Sequence, residues 1–353
     1  RNHQISNQQS KLYLYPMKQF WVLCVLFGSC FTGFSQENAD TLQKIGRDYM
    51  RKGDWGNAVM VFKRALQQKP NDIELLKDIA YTYYLEKDFT HSLETIKPVI
   101  EREDADVQSF QIAGTIHRAI EDTKEGTKVY TRALKKFPYS GVLYSEYGEL
   151  LWQKKDYNAI VQWEKGIETD PNYPGNYYNA ARFYYFTTDR IWSLLYGEIF
   201  TNLESYTIRT AEIKTILFDS YRKLFSDADL LKNYNPKKKN AFEKAFLTSM
   251  NTRSSRAATG IDPQKLIAIR SGFIKNWFET NAAKFPFRLF DYHKQLISSN
   301  MFEAYNQWLL GPGIKAEDYQ EWITNNKAAY DTFNNFQRGR VFKLPKDQYY
   351  QNK

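Results

Sequence analysis

The chain has 353 residues, 42% of them hydrophobic, enough for two ordinary domains or one extended array. Its 26 Tyr, 24 Phe and 8 Trp against 17 Gly and 11 Pro suit packed helices with rings as spacers. The net charge of +9 is split: residues 205–353 carry 24 Lys+Arg against 14 Asp+Glu (+10), and residues 36–204 carry 22 against 26 (−4), so the halves are electrostatically different.

Residues 1–16 are polar and read as upstream read-through. Met17 opens MKQFWVLCVLFGSCFTGFSQ, the layout of a secretory signal: Lys18, an apolar run from Phe20 to Phe27, then Gly33 and Ser35 at the −3 and −1 positions before Gln36. A permanent membrane helix needs about 20 apolar residues, more than this run supplies. The alternative is a lipidated Cys30 after Gly28-Ser29, with Phe27 where such boxes prefer Leu. Simple cleavage removes both Cys24 and Cys30, which excludes a disulfide, a thiolate metal site and a Cys nucleophile from the mature chain. The expected location is exported, periplasmic or associated with the outer membrane.

From Ala39 a pattern recurs with a period of about 34 residues. Leu42, Ile45, Gly46, Tyr49, Ala58, Phe62, Ala65 and Pro70 are followed by Leu76, Ile79, Ala80, Tyr83, Ser92, Ile96, Val99 and Asp104. Then come Phe110, Ala113, Gly114, His117, Gly126, Tyr130, Ala133 and Pro138. A fourth copy has Tyr144, Tyr147, Gly148 and Leu151, a turn one residue shorter, then Ala159, Trp163, Gly166 and Pro171. A fifth, with Tyr177, Ala180, Ala181 and Tyr184, loses the pattern around 189–202. Small residues permit close helix approach, large ones fill the interior on one face, Asp54, Asp88 and Asp156 cap second helices, and the prolines end them.

These slots resemble the tetratricopeptide repeat (TPR), over 39–204: 39–72, 73–106, 107–140, 141–173 and a degenerate 174–204. The resemblance implies an all-α superhelical array of helical hairpins whose first helices line a groove. Its groove-facing slots fall on Gln43, Arg47, Met50 and Arg51; Lys77, Tyr81 and Tyr84; Gln111, Thr115 and Arg118; Ser145, Glu149 and Trp152; and Tyr178, Arg182 and Tyr185. Arg, Tyr and Trp are the residues that contribute most at protein interfaces. The family's clamp for a C-terminal carboxylate uses Lys and Asn where this chain has Gln43 and Arg47, so that ligand is not expected.

Past Ser205 the period ends while helix-like text continues in 205–225, 241–250, 262–282, 290–310 and 316–333, broken at 235–239, 253–260, 285–287 and 311–313. This predicts a non-repeat helical C-terminal domain over 205–336 and a loose basic tail over 337–353.

Catalytic patterns are few. His3, His91, His117 and His293 are widely separated; His117 occupies a core slot and His293, between Asp291 and Lys294, reads as a solvated face. No cofactor or metal is expected, nor a paired-carboxylate site. Lys237-Lys238-Lys239 and the basic half suggest an anionic envelope surface rather than nucleic acid, given export. Trp277, Phe287, Phe290, Tyr305 and Trp308 read as core rather than sugar platform. The chain thus reads as a non-catalytic exported adaptor holding a protein or peptide segment in its groove, within a cell-envelope complex. The alternatives are a hydrolase or glycan-processing enzyme, marked by convergent carboxylates in 260–330, and a scaffold whose groove is filled by its own tail.

Overall fold

The computed structural model describes residues 37–187, 189–226, 229–232, 235, 239–313 and 315–351. The leader with Cys24 and Cys30, and Lys237 and Lys238, lie outside the described residues. Among the described residues there are seventeen α-helices and no strand. The chain divides into two compact units after Leu75.

The first unit holds α1 (Ala39–Arg51), α2 (Trp55–Gln68) and the start of α3 (Ile73–Glu86). The Asn38 side chain caps α1 at Thr41 N (2.8 Å), and Asp54 caps α2 at Asn57 N (3.3 Å). Gly46 is the close-approach slot: a Cβ there would run into the Phe62 ring, which is fully buried with Ala58 and Ala65.

The second unit repeats that hairpin. It contains the rest of α3, α4 (Phe89–Ile100), α5 (Val107–Ala119), α6 (Thr123–Lys136), α7 (Gly141–Gln153), α8 (Ala159–Thr169), α9 (Pro174–Phe186) and α10 (Arg190–Leu203). Gly148 and Trp163 repeat the glycine-against-ring contact. The turns inside hairpins share one conformation, met once per repeat, with φ of 77° at Gly53, 65° at Lys87, 58° at Glu121 and 57° at Lys155. Only Gly53 adopts this left-handed state without a steric penalty. At the other end, α2, α6 and α8 stop where Lys69, Phe137 and Asp170 take φ of −132°, −126° and −136°, directly before Pro70, Pro138 and Pro171.

The fading of the pattern over 189–202 has a packing cause. Every residue of α10 from Ile191 to Asn202 is buried, so no solvent face remains to generate a period. Nor does the array stop at residue 204. The helix α11 (Ile208–Leu224) begins one repeat period after α9 and packs on it as α9 packs on α7. It is a further first helix, whose expected place was in a separate domain. Among the described residues the next α-helix is α12 (Ala241–Asn251).

Then follow α13 (Pro263–Thr280), α14 (Arg288–Ser298), α15 (Phe302–Leu310), α16 (Ala316–Asn325) and α17 (Lys327–Gly339). The runs 290–310 and 316–333 each split into two helices, the first at Asn300, which turns with φ 55°. Trp277, Phe287, Phe290, Tyr305 and Trp308 are all buried. Phe242 stacks on Tyr350 (4.6 Å) and on Trp192 of α10 (5.8 Å), which ties this region to the array.

The segment after α17 is not a loose tail. Phe342, Leu344, Tyr349 and Tyr350 are buried, and the Asn172 side chain bonds both Leu344 N (2.9 Å) and Leu344 O (3.0 Å). Four apolar or aromatic anchors, spaced among basic residues, outweigh the charge that made the sequence look like a tail. It straps across α8 and α9, where Tyr349 meets Glu164 and Gln351 meets Tyr184, residues outside the expected groove set.

Candidate functional site

The expected groove residues lie along the successive first helices, and in the second unit most of them bond to the next first helix. Lys77 Nζ donates to Asp106 Oδ2 (2.6 Å) and is itself buried. Gln111 Nε2 donates to Glu146 Oε1 (2.7 Å), and Arg118 pairs with Glu149. Tyr178 OH donates to Glu212 Oε2 (2.6 Å), and Arg182 Nε lies 2.8 Å from Glu212 Oε1. Tyr185 OH donates to Asp219 Oδ2 (2.8 Å). The last two hydroxyl bonds each span one full repeat and extend the ladder onto α11.

The remaining candidates are placed as follows. Tyr81, 39% exposed, stacks on Tyr84 (5.8 Å). Thr115 is half-buried. Ser145 is buried, with its hydroxyl 3.3 Å from Asn179 Nδ2. Trp152 is half-buried and edge-packed on Phe183 (5.5 Å) and Trp163 (6.3 Å), so its ring joins hairpins. In the first unit Gln43 and Met50 are half-buried, Arg47 lies 3.9 Å from Glu74, and exposed Arg51 pairs with Asp48.

The acceptors Glu146, Glu212 and Asp219 were not among the expected residues, although Glu212 and Asp219 lie one repeat period beyond their donors Tyr178 and Tyr185. Glu146 matters most. Burial pushes its carboxyl up to about 7 despite donation from Gln111, and its second bond comes from the Tyr130 hydroxyl (3.3 Å). Its direct hydrogen-bond donors are thus neutral, whereas Glu149 and Glu212 each have an arginine. Asn179 Nδ2 reaches Glu149 Oε1 at 3.2 Å from α9. The result is a surface of fixed, mutually oriented polar groups with aromatic rings beside them, suited to holding a polypeptide by side-chain bonds.

The C-terminal region offers a different arrangement. His293, expected on a solvated face, is buried, with Nε2 2.8 Å from Glu198 Oε1. Tyr305 OH donates to the same oxygen (2.7 Å), and Arg270 pairs with it while also reaching Asn306. Burial alone would raise the Glu198 carboxyl, but Arg270 and His293 hold it at about 2. This carboxylate comes from α10 and is enclosed by its partners. Among the described residues no acidic residue of 260–330 is buried. The cluster joins α10 to α13, α14 and α15.

No family model matches the sequence, and no curated protein matches it. Solved TPR proteins resemble the structure at low identity. TTC0263 of Thermus thermophilus is 15% identical with a TM-score of 0.42, over 51% of this chain and 98% of that one. MamA is 20% identical with a TM-score of 0.39, over 47% and 92%. YrrB, a TPR protein with an unusual peptide-binding site, is 15% identical with a TM-score of 0.37, over 51% and 93%.

Proposed function

We propose that this chain is a non-catalytic, exported adaptor that holds an extended or helical segment of a protein partner against its first-helix face, within a cell-envelope complex. The observation that carries this is the ladder from Lys77 to Asp219, which fixes the surface before any partner arrives. A prebuilt surface loses little side-chain freedom on binding, so more of the contact energy appears as affinity. Glu146 offers an acceptor without an arginine of its own, and Tyr81 offers an accessible ring. Export rests on the leader from Met17 to Ser35, and cleavage before Gln36 gives a soluble form where an acylated Cys30 would anchor it. The basic C-terminal region is a second contact surface for an anionic envelope component.

Charge reversal of the face tests this. Arg118→Glu with Arg182→Glu puts like charges beside Glu149 and Glu212, and a specific partner recovered from envelope extract by the wild-type chain is then lost. Recovery of the same partner in equal amount by both chains would place the binding surface elsewhere. Mass spectrometry of the mature N-terminus gives Gln36 under this proposal, and an unprocessed Met17 start contradicts export.

A further inference from the structure

The strap fills a socket that recurs in the array. Helix starts match across two repeats: Val107 with Pro174, Thr123 with Arg190, Gly141 with Ile208. By that shift Leu93, Lys97, His117 and Val129 correspond to Ile160, Glu164, Tyr184 and Tyr196. The second set surrounds Tyr349: its hydroxyl donates to Glu164 Oε2 (2.6 Å), Glu164 also accepts from Tyr184 (2.9 Å) and Tyr196 (2.8 Å), and Ile160 lines the same recess. The first set lines a cavity of about 730 Å³ between α4, α5 and α6, floored by Ile96, Ile100 and Ala113. Valine at 129 and histidine at 117 stand where the strap's socket has tyrosines, so the space is larger.

We propose that this socket takes a tyrosine side chain presented on an extended segment of a partner protein, at a second site distinct from the first-helix face. The chain's own Tyr349, at the end of an extended strap, is the pattern for the occupant. The floor is apolar, as a ring requires. At the polar end Lys97 stands where Glu164 meets Tyr349, and its ammonium can donate to a phenol oxygen; His117 lines the same recess, its Nδ1 buried 3.7 Å from Asp122. Burial lowers the His117 pKa, against the pull of Asp122 and Glu125. Lys128 and Arg132 at the rim are paired with Glu125 and Glu101.

The probe is a fluorescein-labelled peptide copying residues 344–351, LPKDQYYQ, titrated by anisotropy into the full mature chain. Saturable binding is expected, weakened about tenfold when both peptide tyrosines become alanine. Val129→Tyr, which supplies the ring that Tyr196 supplies in the filled socket, and Leu93→Glu at the half-buried wall each abolish binding while circular dichroism keeps the wild-type melting profile. Glu164→Gln leaves binding unchanged. Absence of binding, or binding that ignores Val129→Tyr and Leu93→Glu, overturns the proposal. Binding lost in Glu164→Gln overturns it too, because the peptide then enters the strap's own socket. A concentration-dependent dimer abolished by Tyr349→Ala would assign the socket to a second copy and likewise overturn it.

Discussion

The hairpins from α4 to α9 and the region from α12 to α17 are both helical, yet they are held together by different means. In the hairpins each device is local and repeated: a glycine against a ring, a left-handed turn residue, an aspartate cap, a bond to the next first helix. In the C-terminal region single, unrepeated contacts join distant parts: Arg270 to Glu198, Tyr349 to Glu164, Asn172 to Leu344. Losing one repeated device weakens one joint among several. Losing one unrepeated contact leaves a buried group short of a partner that no other repeat supplies.

Arg270→Leu is expected to break this contrast hardest. It leaves Glu198 buried with only His293 and Tyr305 as partners, a cost of about 3–5 kcal/mol in urea denaturation of the full chain. A comparable loss from Lys154→Ala, which removes an exposed pair with Glu121, would erase the distinction, since such pairs contribute about 0–1 kcal/mol.

The Glu164 junction has its own pH dependence. Burial pushes its carboxyl up to about 7 against the three tyrosine donors, above an unfolded value near 4.5. The protonated form therefore fits the fold better, and its contribution is fully present below pH 4.5 and lost as pH rises through 7. The change is about 3 kcal/mol at most, and Glu164→Gln should flatten this part of the stability profile between about pH 5 and 8. A profile unchanged by Glu164→Gln would remove the carboxyl from the account. Tyr349→Phe keeps the ring but drops its hydroxyl bond, with an expected cost of about 1 kcal/mol. Hydrogen exchange should then rise in 340–351 and remain unaltered in α4–α6.

The smallest expected effect sharpens the repeated side. Lys155→Gly relieves a left-handed residue at the turn before α8, and a gain of about 0.5–1 kcal/mol is expected in thermal unfolding. A loss instead would mean that the Lys155 side chain matters more than its backbone.

What could be read in advance follows from the same contrast. Gly46, Phe62, Asp54 and Pro70 were legible because each recurs at a fixed offset, and four copies make the pattern stand out. The candidate face was legible as positions but not as partners, since Glu212 and Asp219 lie on a helix whose own core pattern had drifted. The extra first helix α11 was hidden for that reason, and α10 because burial on all sides erases periodicity. His293 and the strap were misjudged because their surroundings come from parts of the chain far off in sequence, Glu198 for the histidine and Glu164 for Tyr349. Hydropathy of near neighbours carries no record of such contacts.

The most direct test of the function is site-specific photo-crosslinking in intact cells from Tyr81 and Tyr178 on the first-helix face, with exposed Lys275 on α13 as comparison. Discrete adducts with one protein from both face positions, and none with it from Lys275, are the predicted result. No protein adduct from either face position, or the same adducts from all three, would contradict a binding surface built along the first helices.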